Sequence, residues 1–154
     1  MVPLAEEAEV ARAYFYFIGQ RFGERLQIQQ EIDERARLVQ LPLLTIQPLL
    51  ENAVEHGIEP AGGGEIALCC RLEGEMLHIS VSNSGKELSE EDRARINLAL
   101  SGDTQGGNHL GLANIASRLR LIYGQQAGIA AGQDAQGRTQ VLLHIPANLV
   151  QNQV

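Results

Sequence analysis

The stretch LTIQPLLENAVEHG, residues 44–57, organises the interpretation of the whole chain. Its apolar residues recur at helical spacing and fall on one side of a helix: Ile46, Leu49, Leu50, Ala53, Val54 and Gly57. The other side carries Glu51, Asn52, Glu55 and His56, without Lys or Arg. Carboxylates, a carboxamide and an imidazole suit metal coordination and proton transfer better than simple solvation. An ordinary amphipathic surface helix is the alternative, and the stretch taken alone favours it.

Length and composition predict one globular domain. The chain has 154 residues, 44% hydrophobic and 20% charged, and this length can bury a sizeable core without disulfides. The net charge of −7 argues against broad binding to nucleic-acid phosphates, although a nucleotide site needs only local donors. Cys69 and Cys70 are adjacent, so in a strand they face opposite ways and are expected to be free thiols. We expect neither a signal peptide nor a membrane span within this soluble stretch.

Periodicity and turn residues predict alternating helices and strands. Helices are predicted at residues 3–24, 44–57, 89–100 and 110–123, and strands at 26–32, 65–73, 76–82, 128–131 and 138–145. The strand at 26–32 is expected at a sheet edge, and Gly57 is expected to end the central helix before a flexible loop at 60–64. Glu6, Glu7 and Glu9 suit the N-terminal dipole of the first helix. The pattern predicts an α/β fold, a two-layer α/β sandwich with a mixed sheet rather than a doubly wound parallel fold.

Three polar motifs follow one another along these elements. The first is the polar side of the central helix, and the second is Asn83-Ser84-Gly85, directly after a strand. The third is GGNHLGLANI, residues 106–115, a glycine-rich loop that opens a helix. Unpaired N–H groups at a helix start can bind phosphate. Each motif is a weak signal by itself, but together they predict a nucleotide site, with residues 101–109 as a candidate mobile loop.

With these motifs in this order, the chain resembles the ATP-binding catalytic domain of LytS-type sensor histidine kinases, within the GHKL superfamily of ATPases. The resemblance is carried by RFGERLQIQQEID (21–33), LPLLTIQPLLENAVEHGI (41–58), HLGLANIASRLRLIYG (109–124) and GRTQVLLHIP (137–146). It implies a Bergerat-type fold that holds ATP and Mg²⁺ between the central helix and the sheet. It also implies a lead-in helix from an upstream dimerisation region at 1–25, the ATPase domain at 26–147 and a tail at 148–154.

The resemblance implies roles for individual residues. Glu51 would be the catalytic residue that polarises the accepting imidazole, and Asn52 would coordinate Mg²⁺. The implied nucleotide-binding residues are Asn52, His56, Asn83, Gly85, Gly107, Gly111, Leu112 and Thr139. Asn83 would bind the adenine amino group, Gly85 would let the base approach, and Thr139 would help to hold it. Gly107, Gly111 and Leu112 match the second glycine box and the hinge of the lid.

Some of these residues have alternatives, and two depart from the family's pattern. His56 could instead be a helix-end histidine bonded to a carbonyl, and Arg118 is better explained by a solvated helix face. Asn83 stands where most members have Asp, so its hydrogen bond to adenine should be weaker. His109 stands where a glycine is common, which costs energy if that position requires a positive φ. Both departures are expected to affect ATP affinity rather than the fold.

The resemblance implies a two-component sensor kinase that transfers the γ-phosphoryl of ATP to a histidine. The histidines of this chain are His56, His78, His109 and His144, and none precedes the central helix. We therefore expect the phosphoacceptor on an upstream helical segment outside this chain. A dimer formed by those helices, a response regulator and a cytoplasmic domain of an inner-membrane protein are implied as well. The alternatives are a degenerate nucleotide-binding or interaction module and a GHKL serine kinase of the anti-sigma-factor type. The lead-in helix favours the sensor histidine kinase over both.

Overall fold

A computed structural model describes residues 1–100 and 110–147 of the chain. The strands in that part are β1 (Val2–Pro3), β2 (Leu26–Ile32), β3 (Gln40–Leu41), β4 (Gly64–Glu73), β5 (Met76–Asn83), β6 (Gly128–Gln133) and β7 (Thr139–Pro146). The helices are α1 (Leu4–Phe22), α2 (Gln47–Ala53), α3 (Glu59–Ala61), α4 (Glu90–Leu100) and α5 (Leu110–Tyr123). None of the described helices is both long enough and apolar enough to cross a bilayer.

The described strands form a mixed five-stranded sheet in the order β2-β4-β5-β7-β6, and β1 pairs separately with β3. β2 and β4 are parallel, whereas the other neighbours in the large sheet are antiparallel. The mixed sheet and the edge position of β2 confirm the predicted fold class. Cys69 and Cys70 lie on opposite faces as free thiols, and burial raises the pKa of Cys70 to about 12.

One face of the sheet and the helices share a single core. Side chains that point inward from β5, such as Ile79 and Val81, are buried with Leu49 and Leu50 of α2. Two aromatic residues of α1, Phe15 and Phe22, join the same core. Burial of each large apolar side chain contributes roughly 1.5–3 kcal/mol, so this core is the main source of stability. The central helix is therefore held between α1 and the sheet.

The central helix differs from the prediction at both ends. It begins at Gln47 rather than at residue 44, and Gly57 does not end it. Val54–Ile58 form a π turn, α3 continues to Ala61, and the left-handed residue that ends the helix is Gly62. The prediction of a loop at 60–64 is therefore wrong for residues 60 and 61, which are helical. The reason is tertiary, because the carbonyl of Gly57 accepts a hydrogen bond from the N–H of Lys86 on a neighbouring turn, 3.0 Å away.

Candidate functional site

An open pocket lies between the central helix and the sheet. Its empty space amounts to about 380 Å³, including the mouth that opens to solvent. The lining residues are Asn52, Ala53, His56, Gly57, Val81, Asn83, Lys86, Leu88, Ile96, Ala131, Thr139 and Val141. Apolar side chains form most of the wall, and five polar side chains are placed among them. Such a combination is typical of sites for small molecules.

Helical geometry places Asn52 and His56 in this pocket. They are four residues apart and therefore share one face of the helix. Both side chains are half-buried, whereas Glu51 and Glu55 on the neighbouring face are exposed. The predicted polar side of the helix thus divides into a pair inside the pocket and a pair of carboxylates outside it.

Strand register brings Asn83 and Thr139 to the same end of the sheet. Asn83 ends β5 and is paired directly with Thr139, the first residue of β7. Asn83 is only 5% exposed, and its Oδ1 accepts a hydrogen bond from the N–H of Gly85 at 3.1 Å. A buried carboxamide needs such partners, because an unpaired polar group away from water costs about 1–3 kcal/mol. The turn after β5 therefore fixes the orientation of the Asn83 side chain.

The backbone of the same turn is in direct contact with the backbone of the π turn in the central helix. A Cβ atom on Gly57 would lie 2.2 Å from Oδ1 of Asn83, and one on Gly85 would lie 2.1 Å from the carbonyl oxygen of Gly57. Neither distance leaves room for a side chain. π turns are often found at functional sites, and here the turn forms one wall of the pocket. Gly85 thus has a packing role between two segments of backbone.

Other predicted site residues lie outside the pocket lining. Glu51 is exposed, and its Oε1 accepts a hydrogen bond from Nε2 of Gln47 at 3.3 Å. The pKa of Tyr14 on α1 is raised to about 12, mainly by burial and next by the negative charge of Glu51. Gly111 is exposed in the first turn of α5, and the side chain of Leu112 is buried in the core.

Two positions of the glycine-rich loop cannot be compared with the structure. Gly107 and His109 lie outside the described residues. The next residues of the predicted motif begin α5, which packs against the start of the central helix near Pro48. The described part of the motif therefore adjoins the helix that carries Asn52.

Lys86 is a pocket residue that the sequence analysis missed. It is the single lysine of the chain, and it directly follows the Asn83-Ser84-Gly85 turn. Its exposed side chain lines the pocket and makes no ion pair with the residues that the structure describes. Its position directly after the predicted turn could have indicated from the sequence that it belongs to the pocket. Ile96 of α4 also lines the pocket, and nothing in the sequence indicated that.

Arg118 was expected on a solvated helix face, and the structure adds two hydrogen bonds to backbone that this expectation did not include. The residue as a whole is half-buried, and its guanidinium donates at the protein surface to the carbonyl oxygens of Leu43 and Leu44, with a distance of 3.2 Å from Nη1 to the oxygen of Leu44. The residue therefore joins α5 to the segment before the central helix.

Comparison with known proteins identifies the family. The family model that describes histidine kinase-, DNA gyrase B- and HSP90-like ATPases matches residues 39–149 of this chain. The sensor histidine kinase BtsS of Escherichia coli K12 is 30% identical over 146 residues, which are 94% of this chain and 24% of BtsS. The sensor histidine kinase YesM of Bacillus subtilis 168 is 29% identical over 147 residues, 95% of this chain and 24% of YesM. The chain thus spans about a quarter of the length of these relatives.

Solved structures agree on the fold. The nucleotide-free catalytic domain of histidine kinase ThkA superposes with a TM-score of 0.70 at 21% identity and covers 94% of both chains. Full-length ShkA in complex with AMPPNP superposes with a TM-score of 0.66 at 20% identity, over 94% of this chain and 30% of ShkA. The family model covers most of the chain, and its fold agrees with these kinase domains. This protein therefore belongs to the family of histidine kinase-, DNA gyrase B- and HSP90-like ATPases.

Proposed function

We propose that this chain is the ATP-binding catalytic domain of a sensor histidine kinase and that it passes the γ-phosphoryl of ATP to a histidine outside the chain. The observation that carries the proposal is the pocket in which Asn52, His56, Asn83 and Thr139 come together. The sensor kinases BtsS and YesM support the kinase class. A ThkA structure contains a response regulator, and we propose a partner of that kind here.

The base of the nucleotide would bind at the strand ends. Val81 and Val141 provide apolar wall there, and the Asn83 carboxamide and the Thr139 hydroxyl provide polar groups. A flat heterocycle with hydrogen-bonding edges fits such a site, since its faces need apolar contact and its edges need partners. We infer that Asn83 and Thr139 select adenine.

The phosphates would bind toward Asn52, His56 and Lys86. Mg²⁺ usually keeps several waters and binds through one or two protein ligands and the phosphates, so a single carboxamide such as Asn52 is sufficient. The ion would neutralise charge on the phosphates when bound. Lys86 would add a positive charge to a pocket in which the described lining residues include no carboxylate. The residues present therefore fit a magnesium nucleotide.

Glu51 would act on the accepting histidine rather than on the nucleotide. Its carboxylate is exposed and adjoins Asn52 in the helix, so an imidazole from another segment could reach it without entering the pocket. A carboxylate in hydrogen-bond contact with an imidazole can hold its proton and orient the ring. We propose this positioning of the acceptor as the role of Glu51.

We also propose that residues 1–25 form the lead-in helix of a dimerisation region. α1 exposes the aromatic side chains of Tyr16 and Phe17, which would be buried by helices of that region. Residues 26–147 would then be the ATPase domain and 148–154 a tail. In the whole protein, we propose a cytoplasmic position for this domain and an anchor in the inner membrane.

The test is a calorimetric titration of the chain with AMPPNP, with and without Mg²⁺. We expect binding in the micromolar-to-millimolar range that depends on Mg²⁺, and loss of that dependence in Asn52→Ala. The control is Gln27→Ala, which removes an exposed carboxamide from β2 at the far edge of the sheet. If the wild type binds no nucleotide at millimolar concentration, the chain is a degenerate module. If Asn52→Ala binds as before, Asn52 is not the magnesium ligand.

A further inference from the structure

A buried carboxylate from α1 holds the start of the central helix. Glu7 is 3% exposed, and its Oε1 accepts from the N–H groups of Thr45 at 2.7 Å and Ile46 at 3.2 Å. Its Oε2 accepts from the N–H of Leu44 at 3.3 Å. Hydrogen bonds from backbone N–H groups to an ionised carboxylate are among the stronger ones in proteins. Glu7 was expected to serve the dipole of its own helix, but it binds the backbone that leads into another.

The same segment is also bound by α5. The carbonyls of Leu43 and Leu44 accept from the guanidinium of Arg118. Leu44 has φ +59°, and among the described residues it is the one non-glycine residue with a positive φ. Such a conformation costs roughly 1–2 kcal/mol and persists where the surroundings determine it. Here the N–H of Leu44 is bound to α1 and its carbonyl is bound to α5.

This attachment lies close to the pocket along a rigid element. Asn52 follows Ile46 by six residues, which correspond to about 9 Å of helix. The start of α1 is itself fixed, because the N–H of Leu4 donates to the carbonyl of Val39 at 2.8 Å and β1 pairs with β3. A shift of α1 would therefore move residues 44–46, and with them the helix that carries Asn52.

We propose that Glu7 is a positioning residue of the nucleotide pocket. Through residues 44–46 it sets the position of the helix that carries Asn52 and His56, and it couples the position of α1 to the pocket. The effect on affinity rests on the nucleotide site proposed above. The effect on the position of the helix is a property of the protein alone.

The test compares Glu7→Gln with Glu6→Gln in the whole chain. Glutamine keeps the size of the side chain and one acceptor oxygen, but it replaces the other oxygen with an NH₂ group that faces N–H donors. Glu6 is the exposed neighbour on the same helix. In the nucleotide-free protein, we expect Glu7→Gln to shift the backbone amide NMR signals of Asn52, His56 and Gly57 as well as those of residues 44–46. Glu6→Gln should shift neither set.

The second measurement is the affinity for Mg-AMPPNP. We expect Glu7→Gln to weaken it about ten-fold, because the loss of hydrogen bonds to a charged group commonly has an effect of that size. A variant that is less stable but keeps wild-type pocket signals and affinity would overturn the proposal, since Glu7 would then only stabilise the fold. If the wild type binds no nucleotide, the proposed function fails, and the NMR comparison still decides the role of Glu7.

A second variant covers the case in which Glu7→Gln does not fold. Arg118→Gln removes the contact of α5 with the same segment, and Arg118 is not among the residues that line the pocket. The coupling predicts changes in the amide signals of Asn52 and His56 for this variant too. Signals that stay at their wild-type positions would contradict it.

Discussion

The two ends of the central helix are fixed by different chemistry. At its start, charged side chains from α1 and α5 bind the backbone around the strained residue Leu44. At its end, Gly57 and Gly85 allow two segments of backbone to come into direct contact, and the side chain of Asn83 packs against Gly57. The first attachment depends on charge and on hydrogen bonds, so a change of α1 can alter it. The second attachment depends on the absence of a side chain at Gly57 and Gly85, so it should not tolerate an added methyl group at either residue.

The largest effect on stability is expected at the C-terminal end of the central helix, where the close contact leaves no room for a side chain. In Gly57→Ala the new methyl group would collide with the Asn83 side chain, which is buried and cannot move away easily. Overpacking of this kind usually costs about 1–3 kcal/mol, and we expect the upper part of that range in the free energy of unfolding. Urea denaturation measures it. The control is Gly19→Ala in α1, where the new Cβ would lie 3.7 Å from Cδ1 of Ile28 and stability should rise by about 0.5–1 kcal/mol. An equal response of the two variants would show that the close contact is absent.

The next effect concerns the strained residue at the start of the helix. Glycine adopts a positive φ without the penalty that leucine has, so Leu44→Gly should leave the free energy of unfolding unchanged or raise it by about 1 kcal/mol. Leu43→Gly is the matched control, because Leu43 is also exposed but has a negative φ. It should lose about 1 kcal/mol through the greater freedom of the unfolded chain. If both variants lose the same amount, Leu44 is not strained.

A smaller effect is expected for the base. Asn83→Asp keeps an oxygen for the N–H of Gly85 and replaces Nδ2 with a second, charged oxygen. An ionised acceptor makes stronger hydrogen bonds, but the carboxylate would be desolvated at this buried position. We expect a net gain of about 1 kcal/mol, or about five-fold tighter ATP binding, and weaker binding of GTP, which has a carbonyl in place of the amino group. Parallel titrations with both nucleotides test this. Unchanged affinities for both would mean that Asn83 does not touch the base.

The smallest effect on nucleotide binding is expected in the middle of the helix. Glu51 lies outside the pocket lining, so Glu51→Gln should keep the affinity for Mg-AMPPNP within about two-fold of the wild type. The same change should lower the pKa of Tyr14 from about 12, because the Glu51 carboxylate helps to raise it by disfavouring the phenolate. An alkaline absorbance titration, with Tyr14→Phe as reference, follows this ionisation. A large loss of nucleotide affinity would instead put Glu51 in the binding site.

Local patterns predicted the elements well wherever local chemistry decides them. The strand at residues 26–32 is found with its predicted bounds, and Ser89 caps α4 by accepting from the N–H of Asp92 at 3.1 Å. Gly74 makes the predicted hairpin turn between β4 and β5 with a positive φ. Turns and caps involve residues close in sequence, which is why the pattern of residue types was sufficient for them.

The site was predicted in part. Asn52, His56, Asn83 and Thr139 share a pocket as expected. Lys86 and Ile96 were missed, since only the fold brings the turn after β5 and the inner side of α4 to the same place. Gly85 was expected to make room for the base, and the structure adds a contact with Gly57 that nothing in the local sequence indicated.

The sequence by itself determined which side of each element is buried, because apolar periodicity follows directly from helix and strand geometry. Ile46, Leu49 and Leu50 are buried as that periodicity required. Only the tertiary structure decided what Gly57 and Glu7 do. A glycine in a helical pattern looks like a stop, and a glutamate in a first turn looks like a partner for its own dipole. Their actual partners, the turn after β5 and residues 44–46, lie 26 or more positions away in the chain. Contacts at such separations are set by how the elements pack, and no local pattern of residue types encodes them.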